Sequence, residues 1–228
     1  MYISRMPLNI ARMQAVQLVN SPYKMHAAIE QAFPPNALRS DDSGRILWRI
    51  DSTKNAKDGV WLYVVSPSKP DFTHIVEQAG WPSTTGWETK DYSPVLDSLA
   101  AGQVWQFRLK ANPARKVMQN QGRRPNDKVV GTIQGHVTVE QQLTWLMDRC
   151  EKHGFEIATD SDGNRIITVT HRSIERYKHR DGKVTINTAV FDGVLIVRDS
   201  ELFRKSLCCG IGRAKGFGCG LMTIAPLH

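Results

Sequence analysis

Tyr23 and His26 stand three residues apart in SPYKMHAAIEQAF, residues 21–33. Imidazole is the one side chain that titrates near neutral pH without perturbation, so a histidine at the rim of a cleft can take or give a proton. A tyrosine on the same helix face can donate a hydrogen bond to a group bound at the same place. A second group is GIGRAKGFGCGL, residues 210–221, with Gly210, Gly212, Gly216, Gly218 and Gly220 around Arg213 and Lys215. Bare backbone amides beside two cations suit an anion. A tight packing turn would use the same glycines, so both readings stand.

The Tyr-His pair needs a short helix to carry it. Ser21 is a good cap and Pro22 suits the first helical position, where its missing N–H is no loss. Pro34 and Pro35 end the element, so the spacing predicts a helix over 22–33. Met25, Ala28, Ile29, Ala32 and Phe33 form its apolar face. Tyr23, His26 and Glu30 fall on the other side, with His26 only about 20° from Phe33 on the helical wheel. That edge position fits a proton-transfer group held by packing, and it equally fits polar trim at a core boundary.

Around this helix the pattern predicts a strand at 2–8, strands at 46–50 and 60–65, a helix at 72–79 and a weak strand at 86–92. The second half repeats the order. WQFRLKA alternates as a strand, and Thr138 with Gln141 forms a capping box for a helix carrying Leu143, Leu146, Met147 and Cys150. Strands follow at 165–170 and 184–197, the second bent or bulged near Gly193. Asp199 caps ELFRKSLCC, and FGCGLMTIAPL ends the chain as a strand with glycines 216, 218 and 220 along one face. Strand, helix, strand, strand, helix, strand therefore occurs twice, which predicts an α+β fold of two tandem ferredoxin-like (βαββαβ, RRM-like) domains. The expected boundaries are 1–92, a linker at 93–102, and 103–228. A single mixed α+β domain is the alternative, since the halves share no sequence identity.

Composition narrows the partner. The chain of 228 residues carries a formal charge of +8. Between Val104 and Lys128, Arg108, Lys110, Arg115, Lys116, Arg123, Arg124 and Lys128 face one acid, Asp127. Such a concentration points to a polyanion and to salt-dependent binding. Arg108 and Lys110 alternate on one strand face and suit either contact with that polyanion or plain solubility. No apolar run is long enough for a membrane span, the start MYISRMPLNIARM has no secretory pattern, and the expected compartment is the cytoplasm. Cys150, Cys208, Cys209 and Cys219 suit no disulfide framework or zinc site, and the terminal glycines match neither a dinucleotide fingerprint nor a P-loop. His74, His136, His153, His171 and His179 match no metal spacing and read as structural.

Five segments together resemble the CasE family of Cascade-type CRISPR repeat-processing endoribonucleases, within the repeat-associated RNA-binding superfamily. They are MYISRM, SPYKMHAAIEQAF, FRLKANPARK (107–116), VFDGVLIV and GIGRAKGFGCGLMTIAPL. Residues 34–102 and 148–170 support the resemblance by element order only. It implies two ferredoxin-like domains and cleavage within the repeat at the base of its stem-loop, with no metal and no other cofactor. It also implies retention of the mature guide RNA alongside other subunits of a Cascade-type complex. By this resemblance His26 and Tyr23 serve cleavage, and Lys215 is a candidate for holding the phosphate. The glycine-rich end shapes the RNA cleft, and the basic residues with Arg213 bind RNA. Metal-free cutting uses the ribose 2′-OH as nucleophile and leaves a 2′,3′-cyclic phosphate and a 5′-OH. The competing expectations are a non-catalytic subunit that binds structured RNA and a general ribonucleoprotein scaffold.

Overall fold

The computed structural model describes residues 1–52, 59–81, 83, 86–117, 132–179 and 182–227. In the first half, β1 (Tyr2–Leu8) leads to α1 (Met13–Val19), α2 (Pro22–Glu30), β2 (Leu47–Ser52), β3 (Val60–Ser66), α3 (Thr73–Ala79) and β4 (Glu88–Asp91). The four strands form an antiparallel sheet in the order β2-β3-β1-β4. Strand β1 alternates as a half-buried strand should: Ser4, Met6 and Leu8 face the core, while Arg5 points out to Glu88 at 2.9 Å. Met25, Ala28 and Ile29 of α2 meet Ile75 and Val76 of α3 under this sheet. Helix α1 was not foreseen. Arg12 at its start gives no side-chain cap, and the element exists because Ala15 and Leu18 are buried in this first core.

In the second half, α4 (Ser93–Asp97) precedes β5 (Val104–Ala111), β6 (Ala114–Val117), β7 (Thr132–Gly135), α5 (Val139–Cys150), β8 (Phe155–Ile157), β9 (Ile167–His179), β10 (Gly182–Val197), α6 (Ser200–Cys209) and β11 (Met222–Pro226). The main sheet runs β11-β5-β10-β8, with β9 also on β10, and β6 pairs with β7 separately. All these pairs are antiparallel, so the fold is α+β with antiparallel sheets. Helices α5 and α6 start where their side-chain caps dictate: Thr138 Oγ1 accepts from Gln141 N at 3.2 Å, and Asp199 Oδ1 from Leu202 N at 3.0 Å. The expected short strand at 165–170 starts two residues later and runs on as a 13-residue strand, and β10 is 16 residues long with its register shift between Val190 and Phe191, two residues before the expected Gly193. Their paired ribbon continues past the end of β5 at Ala111, whose partner is Ala189.

Two apolar cores result, and the second is shared. Leu47 and Val65 of the first sheet pack in one cluster with Leu109, Phe155, Phe191 and Phe203. Leu96 and Leu99, between the two sheets in sequence, are buried in that cluster too. Arg49 on β2, 1% exposed, spans the junction. Its guanidinium donates to both Asp51 carboxylate oxygens at 2.7 and 2.8 Å, to the carbonyls of Arg108 and Leu221 at 2.8 and 3.0 Å, and to Thr223 Oγ1 at 2.8 Å. One buried side chain thereby ties β2 to β5 and β11. Among the described residues no helix is long and apolar enough to cross a membrane.

Candidate active site

Helix α2 starts as its residues require. Ser21 Oγ accepts from Lys24 N at 3.4 Å and Pro22 occupies the first turn. Met25 and Ile29 are fully buried, which fixes the helix's rotation and leaves His26 half-buried at the rim with Tyr23 more exposed. What faces them comes from the far end of the chain. Residues 215–217 form a 3-10 turn packed on α2. The Phe217 ring meets Tyr23 edge-on, with centroids 5.2 Å apart. A Cβ added at Gly216 would lie 3.7 Å from both Cδ2 and Nε2 of His26. A side chain at 216 would therefore rest on that edge of the imidazole, where glycine adds none.

The turn is seated on the first sheet. Gly218 has φ +75°, and a Cβ there would come within 2.7 Å of the Trp48 ring. Only glycine allows both that conformation and that approach. The expected terminal strand is correspondingly shorter, beginning at Met222, and the glycines serve a turn instead of clearing a strand face. Two buried nitrogens on either side of this turn, His26 Nδ1 and Trp48 Nε1, have no hydrogen-bond partner among the described residues.

Lys215 lies in the same turn. Its Nζ donates to the Gly212 carbonyl at 2.9 Å, and burial, reinforced by the Arg45 guanidinium, lowers its pKa below the ordinary lysine value. Arg213, two residues earlier, is exposed. Tyr23 and His26 thus meet Gly216 and Phe217 in one corner, although about 190 positions separate them in the chain, while the Lys215 ammonium turns inward and Gly210, Gly212 and Gly220 pack against Leu47, Trp145 and Ile211.

The predicted basic set divides. Arg108 and Lys110 line a cleft of about 670 Å³ between the two sheets, beside the corner. Both are held by carboxylates: Arg108 by Asp192 at 2.6 Å with Asp51 at 3.8 Å, and Lys110 by Glu175 at 3.1 Å. Arg115 is exposed on β6, and Lys116 follows it in the same strand. Arg123, Arg124 and Lys128 lie outside the described residues. Sequence reasoning missed Tyr177, which stacks at a tilt on Phe217 with centroids 5.6 Å apart and hydrogen-bonds Glu175. It also missed the outward face of β9, where Arg172 and Arg176 flank Ile174. The alternation of RSIERYK was the available signal. Of the remaining histidines, His74 bonds the Ala28 carbonyl at 2.8 Å and His153 the Ser206 hydroxyl at 2.7 Å, both structural contacts.

An imidazole, a phenol and two cations around an open glycine turn can move protons and neutralise an anion, which is what phosphodiester transfer asks of a protein. Comparison with known proteins points the same way. CRISPR-associated endoribonuclease Cse3 of Thermus thermophilus is 27% identical over 231 residues, covering 99% of this chain and 100% of that protein. The CRISPR system Cascade subunit CasE of Escherichia coli is 29% identical over 209 residues, covering 90% and 92%. A solved structure of Cse3 bound to a 19-nucleotide RNA superposes with a TM-score of 0.80 at 25% identity, covering 99% of this chain and 100% of that one. A family model described as CRISPR associated protein matches residues 1–226. The chain belongs to that family of CRISPR-associated proteins, and its homologues within it are the Cse3 and CasE endoribonucleases.

Proposed function

We propose that the chain is an endoribonuclease that cuts CRISPR repeat RNA at the base of its stem-loop and retains the mature guide RNA within a Cascade-type complex in the cytoplasm. The observation that carries this is the seating of the 215–217 turn on α2, which sets Gly216, with no side chain, beside the Nε2 edge of His26 and Phe217 against Tyr23. The ribose supplies the nucleophile, so the protein must align the 2′-OH with the phosphorus and manage two protons. His26 transfers one of them. Tyr23 orients the phosphate or the attacking hydroxyl, and Lys215 with Arg213 neutralises charge on the phosphoryl oxygens. The products are a 2′,3′-cyclic phosphate and a 5′-OH, with no metal or other cofactor required.

RNA as ligand and Cascade subunits as partners follow from the relatives: one has been solved with RNA bound, and another is named as a Cascade subunit. For the architecture we propose two tandem ferredoxin-like domains, residues 1–92 and 103–228, joined by 93–102. Supporting this, the orders β4-β1-β3-β2 and β11-β5-β10-β8 match when the strands of each half are counted in sequence, with the β6-β7 pair and β9 set aside as additions. Arg115, Lys116, Arg123, Arg124, Lys128 and Arg213 contact the RNA backbone, joined by Arg172 and Arg176. The test is incubation with the host's repeat RNA in excess chelator, with end-group analysis of the products. Cleavage that leaves a cyclic phosphate supports the proposal, whereas binding without cleavage points to a non-catalytic RNA-binding subunit.

A further inference from the structure

The cleft between the sheets is wrong for a phosphate and right for a base. The whole chain carries a formal charge of +8. The cleft walls nevertheless hold three carboxylates, Asp51, Glu175 and Asp192, each paired with its own cation, Arg49 behind the wall and Lys110 and Arg108 within it. The two pairs within the cleft close at 3.1 and 2.6 Å. A phosphate entering here would meet carboxylates and, among the described residues, no unpaired cation, and would have to break an ion pair to find a charged donor. The other lining groups have the opposite character. Trp48, Tyr177 and Phe217 supply aromatic surface, and Trp48 carries a buried indole N–H with no partner among the described residues. Thr170 and Ser173 add hydroxyls at the rim. Flat apolar walls with a few neutral donors and acceptors, in a space of about 670 Å³, suit a planar heterocycle.

The cleft is also continuous with the catalytic corner. Pro22 opens the helix that bears Tyr23 and His26, and Phe217 packs on Tyr23. Both residues line the cleft. Resting on the proposed cleavage at His26, we infer that this cleft receives one unpaired nucleobase flanking the scissile linkage, turned away from the stem and stacked against the Phe217 and Tyr177 rings. The phosphates stay outside, on the cationic surface, and Arg108 and Lys110 act within the cleft toward a base edge.

The experiment uses the full chain and the host's repeat hairpin with its single-stranded flanks, carrying a 2′-deoxyribose at the scissile nucleotide to prevent cutting. Abasic sites are walked one at a time through the nucleotides around the base of the stem, and affinity is read by fluorescence anisotropy. One position is expected to lose about tenfold in affinity, the size of a single stacking contact, and 2-aminopurine there should be quenched on binding. Ser173→Trp, which fills the cleft from β9, should reduce that abasic penalty to within twofold and abolish the quench, its melting temperature serving as the fold check. If no abasic position costs more than twofold in the wild-type chain, the base pocket is wrong while hairpin cleavage stands. The same conclusion follows if a folded Ser173→Trp keeps both penalty and quench. Should the chain neither bind nor cut the unmodified repeat, the cleavage reading fails and this inference fails with it.

Discussion

Replacing Arg49 by methionine should be among the most damaging single changes outside the catalytic corner. The guanidinium is 1% exposed, and five of its hydrogen bonds go to Asp51, Thr223 and the carbonyls of Arg108 and Leu221. Methionine roughly keeps the volume, so the cavity contribution is small and the loss is polar. Removing one partner of a buried ion pair destabilises by ~3–5 kcal/mol, because the other charge is left uncompensated. Asp51 keeps Arg108 at 3.8 Å as a weaker partner, which favours the lower end. Against that, each carbonyl left without its donor adds ~1 kcal/mol or more. The expected loss is therefore about 4 kcal/mol, and with a urea dependence of ~2–3 kcal/mol/M for a chain of this size the midpoint should fall by about 1.5 M. Equilibrium urea unfolding followed by tryptophan fluorescence measures it directly. Arg49→Lys, which keeps the charge but loses the fork, should fall between the two. A midpoint shift below about 0.4 M for Arg49→Met, equivalent to ~1 kcal/mol, would refute the reasoning that this residue joins the sheets.

Gly218→Ala forces a Cβ to within 2.7 Å of Trp48 at φ +75°, and should cost ~2–4 kcal/mol in urea unfolding while lowering cleavage more than RNA affinity. His153 gives the fold a pH dependence: burial first, then Lys152 and Arg149, push its pKa down to about 4, below its unperturbed value of 6.5. The unfolded chain then binds the extra proton, so stability is fully present above pH 6.5 and is lost as pH falls toward 4. After allowing for solvent screening the loss is ~1.5 kcal/mol, and thermal melts of His153→Gln should show a flatter dependence over that window. Neutralising Arg115 and Arg213 together should make the plot of log affinity against log salt shallower by about 1–2, whichever hairpin is bound, if both hold phosphates.

Much of the scaffold was legible because its signals are local. Ser21-Pro22, Thr138 with Gln141 and Asp199 each start a helix through their own side chain or ring, and the alternation of Phe107, Leu109 and Ala111 marks β5. The α2 wheel also put His26 at the rim of the buried face, where the structure has it. What stayed hidden depends on distant partners. The polar segment RSIERYKH gains strand structure only by pairing with β10, and helix α1, lacking a cap, forms only against the first core. The glycines of residues 210–220 announce close approach without saying to what, so their contacts with Leu47, Trp48 and His26 could not be read. Charge type likewise does not reveal pairing. Lys110 and Arg108 find their carboxylates 65 and 84 positions away, while Lys215 turns inward onto Gly212.

The central claim is that His26 moves a proton during attack by a ribose hydroxyl, and single-turnover cleavage of the host's repeat RNA in chelator, comparing wild type with His26→Ala, tests it most directly. A general acid or base contributes ~10²–10⁴ in rate. The variant should therefore cut at least a hundredfold more slowly with RNA affinity within about threefold of wild type, and a 2′-deoxy substitution at the cut site should block both proteins. An unchanged rate in His26→Ala, with cutting of the 2′-deoxy substrate, would contradict the account.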